Sequence, residues 1–205
     1  MSVSTRGGET LRAAATQSAR VELTAETVEA LAGEYERREP LYAVEYEQLE
    51  TLSGALAVGE YGWRDVEWIV QWYYRRFLGA YPDAERRERE GRFADNEFET
   101  VRSVLGATLE ADGTDARLEA LTGLAGVDVP VASAFLAFLE PDDYAVVGPR
   151  TWGALRAAGE LDAPYPSPPS LEEYAAYLER YRSVADRVDA DLWTRYRALW
   201  RYAAE

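Results

Sequence analysis

Cysteine, histidine and lysine are absent from this chain of 205 residues, and methionine occurs once. Each absence removes a class of chemistry. Without cysteine there is no disulfide, no thiolate nucleophile and no thiolate-held iron–sulfur cluster. Without histidine, the side chain that titrates near neutral pH and the commonest zinc ligand are both missing. Without lysine, no Schiff base can form through a side-chain amine. Any catalysis falls to Asp, Glu, Tyr, Ser or Arg, and neither a metal nor another cofactor is expected.

Long apolar runs are missing as well. Nothing approaches the roughly 18 consecutive apolar residues of a spanning helix, so no membrane partner is expected. The first twenty residues, MSVSTRGGETLRAAATQSAR, contain no apolar core of signal-peptide length. They are polar and expected to be disordered, and a cytoplasmic location is expected.

Positive charge is scarce. The 22 basic residues are all arginine and stand against 37 acidic ones, for a net charge of −15. Carboxylates stay hydrated in concentrated salt, which shortens the reach of their repulsion to about 3 Å at about 1 M. Acidic excess with arginine in place of lysine therefore reads as adaptation to high salt. On that reading the negative charge does not by itself exclude a DNA or RNA partner.

Helical periodicity is what the chain does contain. Thr24 stands where a cap belongs, ahead of the first pattern. In WRDVEWIVQWYYRRFLGAYP (residues 63–82), Val66, Ile69, Val70, Tyr73 and Phe77 share one stripe. Trp68, Trp72 and Arg75 lie off it. DAERREREGR (83–92) is locally neutral and reads as a solvated loop or short helix laced with ion pairs. Helices are expected over 96–109 and 115–121. After the connector PYPSPPS, Ser170 and Glu173 form a capping box for a long helix, and a last helix covers 191–203. No alternating pattern persists, although YAVVG (144–148) suits a short extended piece. The class is all-α: about eight helices in a single two-lobed domain over residues 21–205, with the C-terminal helices at 170–205 packing on the rest.

The stretch LTGLAGVDVPVASAFLAFLEP (121–141) carries the most specific pattern, inside a hairpin spanning about 115–140. A loop around Gly126 joins two apolar segments. Pro130 suits the first turn of a helix, where a missing N–H does no harm. Ser133, Ala134 and Ala137 present a small face that permits close helix approach.

The order Leu124-Ala-Gly-Val-Asp-Val-Pro-Val-Ala132 resembles the hairpin of the helix-hairpin-helix DNA glycosylase superfamily. Residues 144–152, Tyr-Ala-Val-Val-Gly-Pro-Arg-Thr-Trp, are similar to the segment that opens the next helix in those enzymes. The resemblance implies a two-lobed helical fold. It also implies contacts to nucleic-acid backbone through Gly126, Val127, Asp128 and Val129, and a pocket near Gly148, Arg150, Trp152, Trp68, Trp72 and Arg75. The departures are equally specific. The superfamily's aspartate falls at Gly148, its lysine falls near Pro130, and its second hairpin glycine is Asp128. Asp tolerates the left-handed turn, but its carboxylate would disfavour a phosphate at the loop amides.

Plainer readings stand beside these. Asp128 and the lack of a basic flank favour a hairpin kept as a fold element without its grip. Asp142 and Asp143 are candidate substitutes for the missing aspartate, although Pro-Asp-Asp is more often turn chemistry. Trp63, Trp68, Trp72, Tyr73 and Tyr74 beside Arg75 and Arg76 suit a base-stacking wall, but core packing accounts for them better. The leading expectation is a non-catalytic nucleic-acid-binding or repair-accessory protein. The alternatives are a helical protein-interaction module, and a divergent glycosylase using Asp142 or Asp143.

Overall fold

The computed structural model describes residues 22–202; the N-terminal segment expected to be disordered lies outside the described residues. Among those described there are ten helices and no strand. They are α1 (Ala25–Arg38), α2 (Tyr42–Val58), α3 (Trp63–Arg75), α4 (Asp83–Ala94), α5 (Phe98–Glu110), α6 (Thr114–Thr122), α7 (Val129–Leu139), α8 (Pro149–Ala158), α9 (Leu171–Val188) and α10 (Leu192–Tyr202). The all-α class is confirmed. The number exceeds the eight or so expected because α4 and α8 have weak apolar stripes and are held by partners distant in sequence. Phe93 of α4 stacks on Trp63 with ring centroids 5.4 Å apart.

Local chemistry starts the helices. Thr24 accepts from the Thr27 amide at 3.2 Å. Ser170 and Glu173 exchange reciprocal bonds at 3.2 and 2.7 Å, the capping box read from the sequence. Asp191 accepts from the Thr194 amide at 2.7 Å at the head of α10. Along α4, Arg86 bridges exposed Asp83 at 3.2 Å and half-buried Glu90 at 3.0 Å, so the charged run is a full helix laced with ion pairs.

Two helices are enclosed on nearly all sides. In α7 every residue from Pro130 to Leu139 is buried, and α2, α3 and α6 pack around it. In α10 the run from Leu192 to Trp200 is buried except Thr194, against α1, α8 and α9. An aromatic seam joins the two groups. Phe138 of α7 meets Trp193 of α10 at 5.0 Å, and Trp72 of α3 meets Trp193 at 5.7 Å. Each fully buried large apolar side chain stabilises the fold by about 1.5 to 3 kcal/mol.

One arm of the network is ionic. Glu45 of α2 is fully buried, accepts from the Tyr35 hydroxyl at 2.6 Å and pairs with Arg197 of α10 at 3.0 Å. It ties α1, α2 and α10 together. Burial holds the Glu45 carboxyl above its ordinary value despite these partners.

Residues 144–148 form the expected extended piece, buried but paired with no strand. Side chains serve its backbone instead. Tyr174 donates to the Ala145 carbonyl at 3.0 Å, Tyr177 donates to Val146 at 3.1 Å, and the Val147 amide donates to Ser133 at 3.0 Å. Buried peptide groups need such partners, and here α7 and α9 supply them.

Candidate binding cleft

Helices α6 and α7 pack against each other, joined by residues 123–128. Gly126 turns the chain at φ 76°, and a Cβ there would lie 2.7 Å from the Phe93 amide nitrogen of α4. Only glycine meets both demands. The loop is therefore seated on the end of α4. Asn96 fastens it, accepting from the Ala125 amide and donating to the Ala125 carbonyl, both at 3.0 Å.

Asp128 is extended rather than left-handed, with φ −96° and ψ 176°. Its carboxylate caps α7 by accepting from the Val131 amide at 3.2 Å and is paired with Arg89 of α4 at 3.1 Å. The Val127 amide goes to the Leu124 carbonyl at 3.2 Å. The Ala125, Val127 and Val131 amides are thus satisfied within the protein. A negative charge of the protein's own sits at the start of α7, where the macrodipole would otherwise draw an external anion.

The turn into α8 has the opposite polarity. Arg76 is 3% exposed, and its NH2 lies 3.1 Å from where a Cβ on Gly148 would be. The guanidinium donates to the Tyr196 hydroxyl at 3.1 Å. It faces the Tyr73 and Trp72 rings at 4.3 and 4.9 Å, with Phe77 at 5.2 Å. Base excision needs negative charge beside the developing sugar cation. The charged group beside Gly148 is a cation.

A cleft of about 260 Å³ opens between the hairpin and this turn. The end of α3, with Tyr73 and Tyr74, and the turn after it, with Phe77, form one wall, continued by Tyr81. Asp128 and Pro130 at the head of α7 and Pro149 at the head of α8 form the floor side. Tyr165 and Pro168 close it from the connector after α8, and Glu85 and Arg89 of α4 supply charge at the rim. The turn that carries Tyr81 into place passes through Leu78 at φ 50°, and Leu78 stands 56% exposed.

The polar groups here are unevenly satisfied. The Tyr81 hydroxyl donates to Glu85 at 3.0 Å; burial and that bond push it up to about 12. Tyr73 donates to the Val147 carbonyl at 3.4 Å. The Tyr74 hydroxyl is buried and has no hydrogen-bond partner among the described residues. Burial, then the nearby charge of Asp128, raise its pKa, so it is a neutral group able to donate and accept. An unpaired buried hydroxyl costs about 1 to 3 kcal/mol, and of the seven buried side-chain atoms without a partner among the described residues it alone belongs to a residue lining the cleft.

The pocket residues read from the sequence are not brought together. Trp68 and Trp72 stack on each other at 6.3 Å and edge onto Phe138, facing α7 instead of the cleft. Arg75 pairs with Glu90 at 3.2 Å. Arg150 lies over Trp200 at 4.5 Å. Gly148 is buried behind Pro149. Trp152 is nearest in effect, donating to the Ala163 carbonyl at 2.9 Å and edging onto Tyr165 at 5.9 Å, which positions a cleft wall. Asp142 and Asp143 lie at the other end of the extended segment, in a separate groove with Arg182 and Asp186. Of the aromatics weighed as a stacking wall, Tyr73 and Tyr74 do line the cleft, whereas Trp72 is buried and Trp63 and Trp68 lie half-buried against the core. Phe77 was read only as part of the core stripe, and Tyr81, Glu85, Arg89 and Tyr165 carried no local signal except an aromatic residue inside a proline-rich connector.

No family profile matches the chain, and neither a curated protein nor a solved structure shows significant similarity to it.

Proposed function

We propose that the protein is a non-catalytic recognition module on the helix-hairpin-helix plan, holding a ligand group in the tyrosine-walled cleft between the hairpin and the Gly148 turn. The observation that carries this reading is the convergence of Tyr73, Tyr74, Tyr81 and Tyr165 on one cleft, Tyr74 with a buried hydroxyl that has no partner among the described residues. Aromatic and proline faces supply shape, and a few polar groups converge on them, the usual makeup of a small-ligand site. On this reading the hairpin is a scaffold, because Asn96, Arg89 and Asp128 already use the groups a phosphate would seek. The cation beside Gly148 opposes sugar-cation chemistry and supports a role without bond cleavage.

The test compares the wild type with Ala80→Trp, since Ala80 is exposed at the mouth and an added indole would block entry without entering the core. A fragment library is screened by saturation-transfer NMR. Fragments that bind the wild type and not the variant support the reading. If no fragment loses binding in Ala80→Trp, the cleft is not the site.

The position of the cleft, between hairpin and turn, favours a second reading in which a single-stranded nucleic acid lays one base there. Affinity would then fall as salt rises and be lost in Ala80→Trp. Gly126→Glu reports only on folding, because the added atoms would strike the α4 backbone.

A further inference from the structure

Resting on the reading of the cleft as the recognition site, we infer that it takes a flat organic monocation with N–H donors, of the amidinium or guanidinium class. The first ground is charge. Glu85 and Asp128 face the cleft against Arg89 alone, which lies 3.8 Å from the first and 3.1 Å from the second. Among the charged residues that line the cleft one negative charge is left over, on a chain whose net charge is −15, while the buried Arg76 lies behind the Tyr73 and Phe77 rings. Such a field gathers cations and repels phosphates and carboxylates.

The second ground is the rings. Cations bind aromatic faces through the ring quadrupole. Arg76 already occupies the far side of Tyr73 and Phe77, at 4.3 and 5.2 Å, and weakens those two for a further cation. Tyr74, Tyr81 and Tyr165 carry no such guanidinium. Tyr74 and Tyr81 stand with centroids 5.1 Å apart, tilted by 58°, above Glu85 and Asp128 in charge reach. A cation on that side has ring faces and carboxylates together.

The third ground is hydrogen bonding. The Tyr74 hydroxyl oxygen can accept one N–H from such a cation, which serves its acceptor side and not its own O–H. A quaternary ammonium offers no N–H and would leave it as it is. A carboxylate could accept from it, but would sit among Glu85 and Asp128. Amidinium and guanidinium groups are flat, donate several N–H bonds and match a carboxylate edge to edge.

The experiment uses three probes of one size and shape: benzamidinium, benzamide and benzoate, carrying positive, zero and negative charge. Binding to the full chain is followed by NMR shifts of the tyrosine rings at constant ionic strength. Benzamidinium is expected to bind, benzamide about tenfold more weakly, and benzoate not at all. Glu85→Gln should weaken benzamidinium about fivefold without changing the melting temperature, because Gln still accepts from Tyr81. Tyr74→Phe should weaken it by a similar factor while the protein stays folded. Benzamide binding as tightly as benzamidinium overturns the cation inference and leaves the cleft as the site. If none of the three probes moves a cleft tyrosine in folded protein, the inference and the reading beneath it fall together.

Discussion

The Arg76 guanidinium comes within 3.1 Å of the position a Cβ on Gly148 would occupy. A side chain at 148 must push against a buried cation that is held among aromatic rings. Gly148→Ala is expected to cost about 1 to 2 kcal/mol through this crowding. Gly148→Asp brings the same Cβ, but its carboxylate faces the guanidinium and can cap α8 by accepting from the Thr151 amide. The Asp variant should therefore be more stable than the Ala variant by about 1 kcal/mol in urea denaturation. An Ala variant as stable as the Asp variant would mean that Arg76 does not act as a cation on this turn.

Gly126 holds the hairpin loop against α4. Gly126→Ala combines a left-handed backbone with a contact of 2.7 Å to the Phe93 amide nitrogen, and is expected to cost about 3 kcal/mol or more. Asn96→Ala, which removes the fastening on Ala125, should cost about 2 kcal/mol. Thermal unfolding of both variants checks the pair. A loop free of α4 would show neither loss.

Ser133 carries the extended segment on its hydroxyl, which accepts from the Val147 amide at 3.0 Å. Ser133→Ala leaves that amide buried and unpaired, so a loss of about 1 to 3 kcal/mol is expected. Hydrogen exchange is the sharper measurement. The Val147 amide should lose protection in the variant while amides in the middle of α10 keep theirs relative to global unfolding.

Glu45 makes acid and base act in an unusual direction. Its pKa is raised in the folded state by burial. A raised carboxyl pKa contributes stability that is fully present below the ordinary carboxylate value and is lost as pH rises through the folded value. Glu45→Gln has no such titration. The stability of wild type minus that of Glu45→Gln should fall as pH increases from about 4. A difference that grows with pH instead would show that the Arg197 pair outweighs the desolvation. Glu45→Ala should cost about 3 to 5 kcal/mol, since Arg197 and Tyr35 then lose their shared partner.

The charge of −15 sets the salt response. Surface ion pairs such as Arg92 with Glu88 weaken in salt, but exposed pairs are each worth only about 0 to 1 kcal/mol. General repulsion among surplus carboxylates is relieved over the same range. The melting temperature is expected to rise by roughly 5 °C between about 0.1 M and about 1 M potassium chloride. A fall would mean that the ion pairs dominate and that the acidic composition does not reflect adaptation to salt.

The all-helical class, the stripe on α3 and the caps at Thr24 and Ser170 were legible in the chain alone, because each depends on residues within a turn or two of one another. The small face of Ser133, Ala134 and Ala137 was legible too, but that α7 is enclosed along its whole length only the structure shows. The charged run at α4 misled in part. Its ion pairs are local and were readable, yet Glu85 and Arg89 reach the cleft only because Gly126 lets the hairpin loop lie against the end of that helix. The resemblance implied a pocket at Trp68, Trp72 and Arg75, but the packing of α3 sets the tryptophans against Phe138 and Trp193. By itself, then, the sequence determined which segments coil and which chemistries are impossible, since composition and short-range periodicity need no partner. Only the tertiary structure decided that Tyr74, Tyr165 and Asp128 share one cavity, because their meeting depends on how five separate segments stack, and no spacing along the chain encodes that.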